Sequence, residues 1–262
     1  MIVTYTEQEI DLVRQDILDG KSPRYLYKYR TIEQALQFLS NHKIYFSDFT
    51  EFNDPFESAC KYQLEYTPKQ FYDAFLRMVK NPILAASKAE QIRLGLIDGQ
   101  KLLKQSNDAI LKGFGYYCMA KRPDNILMWS HYADKHQGVC FKFDLLQDLN
   151  AFMITIPVEY NSEYPEFDSL NGNPTPIIRR KSSDWQYEQE YRTIKTKVHG
   201  LYEIKKDVLV EIIFGCRISP EDTFKIKAAV LSNGYHNVLL TEAKMKDSSF
   251  GLALQPVQTV MV

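Results

Sequence analysis

The feature that most constrains the fold is a change of hydrophobic period along the chain. Residues 68–112 carry apolar side chains at helical spacing, interrupted near Asn81-Pro82 and Asp98-Gly99, which predicts two or three helices. Most apolar runs after residue 115 are short, which is typical of strands. This order favours an α+β fold with a mixed, mostly antiparallel sheet core. We expect a single α+β domain over residues 1–262 with a helical insertion at about 68–112.

Local signals place the remaining elements on either side of this insertion. Thr6 and Glu9 have the spacing of a capping box, Thr31 precedes a second amphipathic run, and Ser219-Pro220 is a typical helix start. We predict helices over residues 6–18, 32–40, 126–133 and 219–231. We predict strands over residues 25–30, 44–47, 115–119, 138–143, 154–160, 187–195, 208–214 and 237–241, and a turn-rich loop over 161–176.

Composition excludes several broad classes of protein. The net charge of -1 argues against a surface that binds nucleic acid throughout, although it leaves room for a local basic patch. The N-terminus has early acidic residues and no apolar run approaches about eighteen residues, so we expect a cytoplasmic protein that does not enter a membrane. The four cysteines form no CxxC pair, which predicts reduced thiols and no metal site.

Motifs of the common enzyme classes are absent from the sequence. It contains no P-loop, no GxGxxG after a strand, no HExxH and no GxSxG. His131 and His136 are five residues apart, so they do not share a helix face as two metal ligands would. The functional interpretation therefore depends on polar and aromatic clusters.

The first cluster is basic and lies on the first predicted strand. Lys28 and Arg30 share one face of that strand, beside the start of the Thr31 helix. Two cations in this position suit an anionic phosphate, and a surface strand with paired charges is the alternative. Asn53 and Asp54 follow in an Asn-Asp-Pro turn, where Asp54 binds either a ligand hydroxyl or the following backbone.

The second cluster is aromatic and lies in the segment MWSHYA, residues 128–133. Trp129 and Tyr132 are three residues apart on one helix face, which is typical of core packing. The alternative is a wall on which a nicotinamide or another flat ring stacks, with His131 and Tyr132 offering polar groups to the ligand.

The third cluster combines two carboxylates with a guanidinium in the segment WQYEQEYR, residues 185–192. On a strand, Glu188, Glu190 and Arg192 would share one face. Two neighbouring carboxylates can hold a ribose hydroxyl or stabilise a developing cation, and a solvated strand face with an ion pair is the alternative.

Four motifs in this order resemble the bacterial domain-of-unknown-function family 2971. They are YKYR at 27–30, FSDFTEFNDPFE at 46–57, MWSHYADKHQGVC at 128–140 and WQYEQEYR at 185–192. The resemblance covers about residues 25–215. The family supplies a fold expectation but no activity.

A second resemblance, to ADP-ribosyltransferase-like folds, implies a function. It implies NAD as substrate, with Lys28 or Arg30 at the phosphates, Ser47 or Tyr132 at the nicotinamide end and Glu190 as the catalytic carboxylate. The sequence lacks the Ser-Thr-Ser strand of those enzymes. Cleavage of the nicotinamide–ribose bond develops an oxocarbenium-like cation that a fixed carboxylate stabilises. The expected protein is an ADP-ribosyltransferase-like or NAD glycohydrolase-like enzyme that modifies a macromolecule, as a toxin or phage-defence effector.

Two other functions remain open at this stage. One is a regulatory module that binds a nucleotide, nucleic acid or protein without chemistry. In that case the same residues would satisfy one another in a packed core. The other is a metal-independent nuclease that uses Asp54, Glu57, His131 and Glu190, although no spacing requires it.

Overall fold

The computed structural model describes residues 5–63, 65–168, 170 and 173–257. Helices and strands are both abundant there, which confirms the predicted α+β class. The helices are α1 (Glu7–Leu18), α2 (Ile32–Asn41), α3 (Pro68–Val79), α4 (Pro82–Arg93), α5 (Gly99–Leu111), α6 (Ile126–Tyr132), α7 (Leu149–Phe152), α8 (Thr175–Arg179) and α9 (Pro220–Ser232).

Most strands are short, and they are distributed among the helices along the chain. They are β1 (Tyr25–Arg30), β2 (Lys43–Phe46), β3 (Lys61–Gln63), β4 (Phe114–Ala120), β5 (Val139–Asp144), β6 (Thr155–Pro157), β7 (Glu159–Asn161), β8 (Glu166–Asp168), β9 (Arg180–Ser182), β10 (Glu190–Thr196), β11 (Gly200–Glu203), β12 (Leu209–Phe214), β13 (Leu239–Met245) and β14 (Leu252–Pro256).

The chain divides into two compact units. The first comprises Met1–Ser47, Gly115–Val158 and Asp184–Val262, and the second comprises Asp48–Phe114 and Glu159–Ser183. The predicted insertion at 68–112 lies within the second unit. The single-domain organisation stays a prediction.

An eight-stranded sheet forms the centre of the first unit. Its strand order is β14-β13-β12-β5-β1-β4-β10-β6. Strands β12 and β13 are parallel, whereas β1 with β5, β5 with β12, β13 with β14 and β6 with β10 are antiparallel. The sheet is therefore mixed and mostly antiparallel, as predicted.

Apolar side chains on both sides of this sheet form two core clusters. Leu26 of β1 belongs to a larger cluster that includes Phe38 of α2 and Ile226 of α9. Tyr29 of β1 belongs to a smaller cluster with Trp129 of α6. Because neighbouring strand residues point to opposite faces, β1 contributes to both clusters.

The sheet has an opening between β1 and β4. Strand β1 pairs with β5 at every position from Tyr25 to Arg30, but its described pairing with β4 is one position, Tyr27 with Ala120. Further along β4, Ser47 forms an isolated bridge with Tyr116. The Cys118 carbonyl lies between these two rungs and accepts a hydrogen bond from the Lys28 ammonium. A side chain thus fills a gap in the backbone ladder.

The second unit has its own helical core. Helices α3 and α4 pack closely, and Phe71, Phe75, Ala85, Ala89 and Leu103 form its buried cluster. Two parallel strand pairs, β3 with β8 and β7 with β9, complete the unit. The predicted interruptions near Asn81 and Asp98 are confirmed, because both residues are N-caps.

Several local predictions are wrong. The predicted strand 187–195 begins only at Glu190, because residues Ser183–Glu188 form a 3₁₀ turn and Gln189 has φ 45°. The predicted loop 161–176 contains β8, while Ser169, Asn171 and Gly172 lie outside the described residues. The predicted strand 154–160 is divided into β6 and β7.

Candidate functional site

Six of the predicted site residues gather in the first unit, near the opening between β1 and β4. We call them the polar cluster: Lys28, Arg30, Tyr132, Glu188, Glu190 and Arg192. Hydrogen bonds join Tyr132 to Glu188 and Arg192 to Glu190, and the Lys28 ammonium interacts electrostatically with Arg30, Glu188 and Glu190. Residues from three distant parts of the sequence therefore meet.

Lys28 is a cation whose pKa is strongly perturbed. Burial, reinforced by the neighbouring Arg30 charge, lowers the pKa of Lys28 to about 8, while Cys118, Glu190 and Glu188 oppose this shift. The ammonium also lies 4.9 Å from the centre of the Tyr117 ring, and the Arg30 guanidinium carbon lies 5.9 Å from the same ring centre. Two cations thus contact one aromatic ring.

Glu190 and Arg192 form a buried ion pair on β10. Arg192 Nε lies 2.7 Å from Glu190 Oε1, and Arg192 Nη2 lies 3.3 Å from Glu190 Oε2. Their side chains are 5% and 1% exposed, so most of their charge is compensated inside the protein and not by water. The predicted sharing of one strand face is correct for this pair.

Glu188 reaches the polar cluster by a different route. It ends a 3₁₀ turn, and the left-handed Gln189 separates it from β10. Its carboxylate accepts a 2.6 Å hydrogen bond from the Tyr132 hydroxyl. The other end of α6 is fixed to the same turn, because the Asn125 side chain donates to the Tyr187 carbonyl over 2.6 Å.

Trp129 and His131, two predicted site residues in α6, lie in different surroundings. Trp129 is fully buried, donates its indole N–H to the Pro123 carbonyl at 2.7 Å and packs edge-on against Tyr29. It therefore occupies the core position that its helical spacing favours. His131 is exposed and its ring lies beside Tyr132 and Tyr187. Their ligand roles stay predictions.

Ser47 has a backbone partner in the structure. Its hydroxyl donates to the Tyr116 carbonyl over 3.1 Å, next to the isolated bridge between the same two residues. This contact fixes Ser47 at the edge of β4. Its predicted role at the nicotinamide end stays a prediction.

Asn53 and Asp54 belong to the second unit. Asp54 is 5% exposed and accepts a 2.9 Å hydrogen bond from the Phe56 amide, which is the Asx turn given as one alternative. Three residues later, Glu57 forms a buried 3.0 Å ion pair with Lys181. The nuclease hypothesis stays a prediction, with Glu57 already engaged by a cation.

Cys118 and Tyr117 are neighbours of the polar cluster that sequence reasoning missed. Burial raises the pKa of the Cys118 thiol well above its usual range, and the nearby Glu190 charge adds to this effect. Burial likewise raises the pKa of Tyr117 to about 12, although Arg30 opposes it. Both shifts favour the protonated side chains at neutral pH. Their apolar sequence context gives no polar signal.

One comparison with known proteins found a match. Residues 128–193 match a family model described as a protein of unknown function (DUF2971), which confirms the resemblance to that family over the segment containing most of α6 and most of the polar cluster. No curated protein and no solved structure matches the chain.

The described residues offer neither a metal site nor a membrane span. Among the described residues, no three His, Cys, Asp or Glu side chains are arranged to hold a metal ion. None of the helices in the described ranges has the length and apolar character needed to span a bilayer.

Proposed function

We propose that this protein cleaves NAD, as an ADP-ribosyltransferase-like or NAD glycohydrolase-like enzyme, with the polar cluster as its active site. The observation that carries this proposal is the meeting of Lys28 and Arg30 with Glu188 and Glu190 in the first unit. Cations suit the diphosphate of the dinucleotide, and carboxylates suit the cationic transition state at the ribose.

The contacts favour different tasks for the two carboxylates. Glu190 is held by Arg192 at two points, which offsets its charge and fixes its orientation. Glu188 accepts a 2.6 Å hydrogen bond from the Tyr132 hydroxyl, which orients its carboxylate. We assign the stabilisation of the oxocarbenium-like ribose to Glu188, which this hydroxyl orients, and the support of that site to Glu190, which Arg192 holds.

The cations and the aromatic residues have roles in the same proposal. Lys28 and Arg30 bind the phosphates, and the Tyr132 hydroxyl orients Glu188. A macromolecular acceptor receives the ADP-ribose in the transferase form of the reaction, and water receives it in the glycohydrolase form. Action as a toxin or phage-defence effector belongs to the same proposal.

Release of nicotinamide from NAD, with and without bacterial lysate, tests this function. We expect Glu188→Gln to reduce release by about 100-fold, as removal of an electrostatic stabiliser does. Tyr132→Phe, which keeps the ring and removes the hydroxyl, should reduce it by about 10-fold. Glu203→Gln, an exposed carboxylate of the same unit, is the matched control and should retain full activity.

One combination of results would overturn the proposal. In it, the folded wild-type protein releases no nicotinamide in any condition, and its melting temperature does not change on addition of NAD.

A non-catalytic binding module is the second candidate, and one observation favours it. Glu188, Glu190 and Arg192 are nearly fully buried and bonded within the protein, as expected for residues that satisfy one another. A module of this kind would show a rise in melting temperature with NAD or ADP and no nicotinamide release. Measured side by side, the two signals separate the candidates.

A further inference from the structure

The loop that follows α6 has an unusual backbone. Asp134, Lys135 and His136 have φ values of 44°, 54° and 71°. Left-handed conformations are costly for non-glycine residues, and three in succession persist only where the surroundings impose them. Contacts with neighbouring residues must therefore hold this loop in its conformation.

Close backbone contacts impose this conformation. A Cβ on Gly138 would lie 2.1 Å from the Arg30 carbonyl oxygen, and a Cβ on Gly215 would lie 2.1 Å from the His136 carbonyl oxygen. The Gly215 amide also donates to Gly138, and the Arg217 amide to His136, each over 3.0 Å. The loop is therefore fastened both to the end of β1 and to the turn after β12.

His136 connects this loop to α6 at two levels of the helix. Its ring lies nearly parallel to that of Trp129, at 13° and with 6.3 Å between centroids, and its amide donates to the Trp129 carbonyl over 3.1 Å. The imidazole also hydrogen-bonds to the backbone of Ile126, the first residue of α6. Burial and the nearby Arg217 charge lower the pKa of His136, and this hydrogen bond opposes that shift. A single side chain thus contacts the first and fourth residues of the helix.

The same helix carries Tyr132, whose hydroxyl holds Glu188. From these contacts we infer that His136 is a positioning residue: it sets the orientation of α6 and so keeps the Tyr132 hydroxyl on Glu188. The consequence for catalysis rests on the proposed function, whereas the consequence for Tyr132 does not.

The positional consequence is tested by fluorine NMR of protein labelled with 3-fluorotyrosine. The Tyr132 signal is assigned by its loss in Tyr132→Phe. In His136→Asn, asparagine tolerates the left-handed backbone but removes the ring, so we expect the Tyr132 signal to shift or broaden. His236→Asn, an exposed histidine of the same unit, should leave that signal unchanged. An unchanged Tyr132 signal in folded His136→Asn would overturn the inference.

The milder variant His136→Gln guards against misfolding, because its side-chain amide can still hydrogen-bond to the Ile126 backbone. We expect its Tyr132 signal to lie between those of wild type and His136→Asn. A signal displaced as far as in His136→Asn would show that this hydrogen bond does not matter and would count against this contact.

The catalytic consequence is a split between the kinetic constants. For nicotinamide release, we expect His136→Asn to lower kcat by about 10-fold and to change KM for NAD less than 2-fold, because the phosphate-binding cations are untouched. A rise of about 10-fold in KM for NAD with an unchanged kcat would contradict this role. If wild-type protein releases no nicotinamide, the proposed function fails, and the fluorine signal alone decides the positional inference.

Discussion

At the scale of single residues, Lys28 combines a cationic side chain with a half-buried position. Its ammonium donates a hydrogen bond to the Cys118 carbonyl of β4, and its charge lies next to that of Arg30. A charge in such surroundings makes stability depend on pH.

Lys28→Met should change the pH dependence of stability. The folded-state pKa of about 8 lies below the ordinary value of 10.5, so the folded protein releases this proton at a pH where the unfolded chain retains it. Wild-type stability should therefore rise relative to the variant as the pH increases from about 8 to about 10.5, by about 1–2 kcal/mol after allowance for partial exposure. Urea unfolding at several pH values measures the difference.

The pH profile of Lys28→Met also depends on the groups near Lys28 and needs a control variant. Arg30, Cys118, Glu188 and Glu190 interact with the ammonium and contribute to the same profile. Lys205→Met, at an exposed position of the same unit, should run parallel to wild type. Parallel profiles for Lys28→Met and wild type would contradict the assigned burial.

Glu190→Gln should destabilise the first unit by about 3 kcal/mol, because it leaves the buried Arg192 guanidinium with a neutral neighbour. The double variant Glu190→Gln/Arg192→Met should lose less stability than the two single variants lose together, since it removes the buried guanidinium charge as well. The free energy of unfolding in urea measures all three variants. A loss in the double variant equal to the sum of the two single losses would argue against direct coupling.

At the scale of elements, close backbone contacts hold the loop that follows α6. Gly138 does not have a positive φ, so its requirement for glycine is purely steric. The Arg30 carbonyl occupies the space where a side chain would begin. The position of Arg30 therefore depends on a residue of a different element.

Gly138→Ala should cost about 3 kcal/mol and displace the end of β1, because the added methyl collides with the Arg30 carbonyl oxygen. Gly20→Ala is the comparison: its φ is 75° but nothing lies within 4 Å, so it should cost only about 1 kcal/mol. Thermal unfolding of the two variants measures the contrast. Equal costs would mean that the loop moves freely to accommodate the methyl group.

Sequence patterns predicted elements well where the signal is local. The Thr6/Glu9 capping box of α1 and the Thr31 N-cap of α2 involve residues three apart, and both are confirmed. Strand β14 was missed, because its LALQP segment is short and is defined by pairing with β13. The parallel partners β3 and β8 were missed for the same reason, since they lie far apart in the sequence.

The polar cluster was predictable in composition but not in geometry. The alternation in residues 187–195 suggested one continuous strand, and nothing in it indicates that Gln189 adopts a left-handed conformation. The partners of Glu188 and Lys28 are Tyr132 and the Cys118 carbonyl, and both contacts depend on tertiary structure. His136 was missed because its importance depends on backbone contacts with distant glycines.

At the scale of the whole molecule, each of the two units has its own buried ion pair. The first contains Glu190 with Arg192, and the second contains Glu57 with Lys181, whose side chains are 3% and 4% exposed. Glu57 belongs to the FNDPFE turn and Lys181 to β9, so this pair connects the two chain segments that form the second unit.

Glu57→Gln should loosen the second unit at β9. The substitution leaves the buried Lys181 ammonium facing a neutral amide, and we expect amide hydrogen exchange in the paired strands β7 and β9 to accelerate by about 10-fold or more. Glu65→Gln, an exposed carboxylate of the same unit, is the control and should leave their exchange unchanged. Unaltered exchange in Glu57→Gln would show that the ion pair does not hold these segments together.

The contact between β1 and β4 at Cys118 differs from its neighbours in the kind of group that makes it. Backbone groups make the bridges of Ala120 with Tyr27 and of Tyr116 with Ser47, whereas the contact at Cys118 is made by the side chain of residue 28. The side chain at residue 28 therefore determines whether the Cys118 carbonyl is hydrogen-bonded within the protein or is open to a bound ligand. In directed evolution, residue 28 is the position at which we would vary this protein to open the sheet without redesigning its backbone.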